Sequence, residues 1–242
     1  MKKLIFIVAL FAALSFSCEI FTSSLGEWAT RDLSDTLKDS SASDIATMLT
    51  TQTLSSSDAK AVINALSTKS SEELNSLTDT QKATIVSTAT AAIIPDMSSL
   101  VSSLDIEGLI DGTASDTEGM LSDLFETFVN SIDTDVNTDV LTALFGNDDT
   151  VTEMAENDSI TLALGTVALV ASVVSQDENV SIDSLQTKVE DIIADIDDES
   201  IDQDTTIVNI GAALGATAEE SAAIFNAIEA LANTDMDFGG LI

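Results

Sequence analysis

The side chains that usually do chemistry are mostly missing from this chain. It has no histidine, no tyrosine and one cysteine, Cys18. Without histidine there is no imidazole base, no Ser-His or Cys-His nucleophile pair and no imidazole metal ligand. Carboxylates are abundant instead: 42 Asp and Glu stand against 8 Lys and Arg. Two facing carboxyls can serve as the acid and base of glycoside hydrolysis, but so many acids create accidental pairs that the sequence selects none. Alternating acids can also hold calcium. "DTDVNTD", Asp133 to Asp139, places oxygen ligands at every second residue, and "DIDDESIDQD" offers Asp195, Asp197 and Glu199 in the same way. A calcium loop of the EF-hand kind also needs glycine at its sixth position and glutamate at its twelfth. Those places hold Thr138 and Leu144 in the first stretch, Ser200 and Thr206 in the second. Both read as solvated acidic turns, and no metal or cofactor is expected.

One further pattern involves a hydroxyl. "SDAK", Ser57 to Lys60, resembles the Ser-x-x-Lys element of penicillin-interacting serine enzymes, in which the lysine can activate the serine. Their Ser-x-Asn and Lys-Thr-Gly elements are absent, so Ser57 reads as a helix start and Lys60 as a surface cation. No catalytic residue is assigned. The charge excludes a further class. The formal net charge is −34, and beyond Lys82 the only basic residue is Lys188. Phosphate contacts need lysine and arginine, so nucleic acid is not a partner.

A chain this acidic would be disordered if it were also polar, but 45% of its residues are hydrophobic and they recur with helical period. Met120, Leu121, Leu124, Phe125, Phe128, Val129 and Ile132 make one apolar stripe behind "SDTE", Ser115 to Glu118. In that pattern a hydroxyl and a carboxylate three residues on satisfy the first free amides of a helix. It recurs at Ser24–Glu27, Ser70–Glu73, Thr78–Gln81 and Thr217–Glu220, with aspartate last at Ser41–Asp44 and Ser55–Asp58. The single proline, Pro95, predicts the end of a helix over Asp79 to Ile94. Ile160 to Ser175 is apolar all round and reads as a buried central helix; Gly211 and Gly215 suggest close helix packing. Without gaps, Ile45–Leu66 aligns with Ile207–Ile228, matching Ala61 with Ala223, Asn64 with Asn226 and Ala65 with Ala227, which suggests a repeated helical hairpin. The expected fold is all-α, about ten amphipathic helices in an irregular bundle or solenoid-like stack. Breaks are expected near 105–119 and in the acidic stretch Gly146 to Asp158.

The start of the chain carries the most specific pattern. Lys2 and Lys3 precede an apolar run from Leu4 to Leu14, followed by Ser15-Phe16-Ser17 and then Cys18. A charged segment, an apolar core and a small-residue zone are the three parts of a secretory signal, and the run is too short to span a bilayer. A cysteine in this place resembles the lipobox of bacterial lipoproteins, although Leu14 stands four residues before it and Ser15 occupies the usual leucine position. The resemblance covers this leader only. It implies acylation of Cys18, with a signal peptide over 1–17 and a tether over 18–24; the helical periodicity places the helical domain over 25–232 and leaves a tail over 233–242. With one cysteine, no intramolecular disulfide is available. The expected protein is an interaction or structural module without enzymatic activity. It would be held to the membrane through acyl groups on Cys18 and bind a protein partner. Glu19 favours the outer membrane or cell surface over the inner membrane. The alternatives are a ligand-binding partner of a transporter and a carboxylate-dependent hydrolase.

Overall fold

A computed structural model of the chain describes residues 37, 39–51, 54–94, 132, 133, 135–176 and 202–232. Cys18 with its leader, the segments 18–24 and 233–242, the apolar stripe from Met120 to Val129, Pro95 and the break expected near 105–119 lie outside them. The described residues form nine helices and no strand: α1 (Ala42–Thr51), α2 (Ser56–Leu66), α3 (Ser71–Asn75), α4 (Asp79–Ile93), α5 (Asp139–Phe145), α6 (Asp148–Asn157), α7 (Ser159–Gln176), α8 (Gln203–Leu214) and α9 (Ala218–Ala232). The chain is all-α, as its periodicity predicts.

Two helices organise the packing, and a third joins them. α1, α2 and α7 pack on α4, while α5, α6, α7 and α8 pack on α9. Because α7 lies between the two groups, most of it is shut off from water. This accounts for its apolar composition. By length and hydropathy α7 could cross a membrane, but 67% of it is buried inside the bundle, as expected of a core helix. A continuous apolar cluster runs from Leu37 and Ile45 through Ile85, Phe145 and Leu169 to Ile224 and Leu231.

Hydroxyl, amide and carboxylate caps set the helix starts. At α4, Thr78 Oγ1 accepts from the Gln81 amide at 3.4 Å while the Gln81 side chain accepts from the Thr78 amide at 3.1 Å. Thr217 and Glu220 make the same reciprocal pair ahead of α9, at 3.3 and 2.8 Å. Ser41 and Ser55 each accept from the amide three residues on, and their hydroxyls donate to Asp44 and Asp58. Ser70 departs from the expected pattern. It accepts the Glu73 amide at 3.2 Å, but the Glu73 carboxylate accepts from the Ala42 amide at 2.7 Å and so caps α1 rather than its own helix.

Two expectations need correction. Gly146 to Asp158 is no break, since nearly all of it is α6. Asn147 accepts the Thr150 amide at 2.9 Å, and Asp148 and Asp149 lie in the first turn, where carboxylates interact favourably with the helix dipole. The acids thus start a helix, and Val151, Met154 and Ala155 bury its other side. Gly211 and Gly215 do not act together. Gly215 ends α8 with φ 74°, a left-handed conformation that favours glycine. Gly211 alone marks a close approach: a Cβ there would lie 3.0 Å from Ser221 Oγ on α9.

The two aligned hairpins are both helix-turn-helix, but they pack differently. α8 and α9 lie against each other, whereas α1 and α2 mainly pack on α4. The aligned asparagines nevertheless do similar work on either side of α5. Asn64 Nδ2 donates to the Asp135 carbonyl and Asn226 Nδ2 to the Phe145 carbonyl, each at 3.2 Å.

Candidate functional site

The polar groups that could do chemistry gather between α4 and α6. On α4, Lys82 shares a helix face with Ile85, Val86 and Ala89, so its stem enters the core and the residue is only 7% exposed. Its Nζ donates to Thr150 Oγ1 at 3.1 Å, and Thr150 Oγ1 donates to Asn147 Oδ1 at 2.9 Å. Bond direction decides what this relay can do. A charged lysine acts as a donor, and the threonine's proton is already committed to asparagine, so nothing here withdraws that proton to make a nucleophile. Thr150 is also 1% exposed, beyond reach of a substrate. The relay is a polar cross-link between two helices, closed by its own caps.

One turn nearer the solvent, Asp79 and Glu153 face each other. Asp79 precedes Lys82 by three residues and Glu153 follows Thr150 by three, so the Lys82–Thr150 bond brings the two carboxyls together. Glu153 is held above the usual glutamate value of 4.5. Its hydrogen bond to Asp79 is the largest cause, followed by partial loss of water and by repulsion from Asp79; Lys82 pulls the other way and Glu156 adds to the rise. A carboxyl that keeps its proton beside another carboxylate can act as a general acid. This pair, however, lies at the surface, with Asp79 exposed.

The acid at the start of α8 behaves in the opposite way. Asp202 is held below its usual value by the Thr205 backbone amide first and the Thr205 hydroxyl second, at 3.0 Å each. Glu153 binds its proton more tightly when folded, so its contribution is fully present below the ordinary glutamate value and lost as pH rises through the raised one. Asp202 contributes above the ordinary aspartate value of 3.8 and loses that contribution as pH falls through its lowered one. Urea melts across this acid range should therefore show E153Q losing the decline above the glutamate value, and D202N a weaker decline at the acid end. Both groups are open to solvent, so the changes are expected to be small. Parallel profiles for E153Q and wild type would refute the raised Glu153 value.

The residues singled out by sequence are found apart. Lys60 pairs with Asp133 rather than Ser57, whose Oγ lies 3.0 Å from Ser55 Oγ. The Ser-x-x-Lys dyad does not form. The acidic stretch from Asp133 is likewise taken up by its own contacts. The Asp133 carboxylate also accepts the Asp135 amide at 3.1 Å, and Asn137 Oδ1 accepts the Asp139 amide at the start of α5 at 2.8 Å. Of the second stretch, Asp202 is the N-cap of α8, while Asp195, Asp197 and Glu199 lie outside the described residues. Among the described residues, no group of three or more His, Cys, Asp or Glu comes together to hold a metal ion.

The Lys82 relay was not selected from sequence, although a signal for it exists. A lysine three, four and seven residues before apolar positions lies on the buried face of its helix and needs a partner there. Searches for relatives point to no family: no protein-family model matches the chain, and no curated protein or solved structure is significantly similar to it.

Proposed function

We propose that this chain is a lipid-anchored, highly acidic helical protein of the bacterial envelope that works as an interaction or structural module rather than as an enzyme. The observation that carries the reading is Cys18, directly behind Lys2-Lys3, the apolar run and Ser15-Phe16-Ser17. The helical fold supports it. Lys82 is engaged with Thr150 and Thr150 with Asn147, and Lys60 is separately engaged with Asp133. Surface carboxylates with few cations to pair them keep such a module soluble and draw cationic partners to it.

The test begins at the cysteine. A metabolically incorporated fatty-acid label should enter the wild-type protein and leave it in the membrane fraction, while C18S should lose both label and sedimentation. Equal labelling of C18S would overturn the anchor. Crosslinking in the native cell then addresses the module, which is expected to join one defined partner. An isolated protein that turns over a substrate would favour a hydrolase.

A further inference from the structure

The segment that leads into α5 is held by one side of α2. Lys60, Asn64 and Ser67 are spaced four and three residues apart, which aligns them along the helix and its C-cap. Lys60 takes the Asp133 carboxylate. Asn64 brackets the backbone beyond it: Nδ2 donates to the Asp135 carbonyl at 3.2 Å, and Oδ1 accepts the Asn137 amide at 2.8 Å. Ser67 Oγ donates to the Asn137 carbonyl at 3.1 Å. The Asp133 amide donates to the Ile93 carbonyl at 2.8 Å, so the chain that leaves α4 is met again where it returns.

We propose that Asp133 and residues 135–138 form a salt-sensitive latch on α2, closed by the Lys60–Asp133 pair and loosened by rising ionic strength. Two kinds of bond hold the latch, and only one is sensitive to salt. The amide and hydroxyl bonds of Asn64 and Ser67 are neutral. The Lys60–Asp133 ion pair has side chains 30% and 20% exposed, so mobile ions reach both partners. Elsewhere the balance is reversed. Carboxylates that repel one another across the surface are relieved by the same ions. Salt therefore loosens this contact while it relieves the repulsion between carboxylates elsewhere on the surface.

Hydrogen-exchange mass spectrometry on the full chain in detergent, at about 0.05 and 1 M sodium chloride, separates the two effects. Rates are taken relative to an unstructured peptide. In the wild type, the Asp133 and Asn137 amides should exchange about two- to fivefold faster at high salt. The Gly146 amide, bonded to Thr142 at the end of α5, should not speed up. D133N keeps an oxygen for the Asp135 amide but loses the charge. It should exchange at low salt as the wild type does at high salt, with no further response. K60M should reproduce this from the other partner. Wild-type protection at Asp133 and Asn137 that stays flat or rises with salt overturns the latch, as does an undiminished salt response in D133N and K60M.

Discussion

Replacing Gly165 by valine is expected to cost this protein more stability than any substitution at its surface, on the order of 3 kcal/mol. Gly165 lies near the middle of α7, where the helix passes close to α4 and α5. A Cβ built there would stand 2.5 Å from Val86 Cγ1 on α4 and 2.7 Å from Phe145 Cζ on α5. Both obstacles are fully buried side chains, so neither can swing aside into water. Alanine provides the sharper comparison. In an unobstructed helix it would gain about 1 kcal/mol over glycine, and overpacking a tight core costs about 1–3 kcal/mol, so G165A should be a net loss that valine deepens. At about 2–4 °C per kcal/mol, thermal melts resolve this order. F145L, which shortens the ring that fills the space, should recover part of the loss in the G165A background, with a coupling of about 0.5–3 kcal/mol. A G165A protein more stable than wild type would mean that α4, α5 and α7 are not this close.

Salt should raise the melting temperature, on the order of several degrees between about 0.05 and 1 M sodium chloride. With a formal charge of −34, the compact chain crowds its carboxylates more than the unfolded one does. Shortening the Debye length from about 10 Å at 0.1 M to about 3 Å at 1 M removes much of that repulsion. Calcium at low millimolar concentration and constant ionic strength is expected to add little, because Asp133 and Asn137 are already engaged by Lys60, Asn64 and neighbouring amides. A saturable rise with calcium would reveal a specific site. A melting temperature that falls with salt would show that attraction, not repulsion, dominates the surface.

The helices were legible where local chemistry decides them. Thr78 with Gln81 and Thr217 with Glu220 are short-range pairs, and the folded chain uses them as their spacing predicts. The all-round apolar character of Ile160 to Ser175 likewise announces a helix enclosed by others, as α7 is. Legibility failed where one residue type serves two purposes. Asp148 and Asp149 read as part of a break because acids are common in connecting segments, yet beside Asn147 they begin α6. Glu73 shows a different limit. Its position fits a local cap, but the carboxylate serves Ala42, thirty-one residues earlier, and only the packing of α1 and α3 brings the two together. The Lys82–Thr150 contact and the Asp79–Glu153 pair are of this second kind. Each half lies on a different helix, and nothing in either segment names the other.

The place of α9 in the bundle also orders events in time. Ala223, Ile224, Phe225, Ala227, Ile228 and Leu231 fill the core against helices that begin some eighty residues earlier, at Asp139. While a ribosome is still adding residues before Ser221, α5, α6 and α7 have emerged but lack the surface on which they settle. The α4 group can gather early, while α7 keeps one side bare until α9 arrives. Synthesis therefore runs well ahead of closure, and the faces of α5, α6 and α7 that α9 covers wait for the last of the described helices.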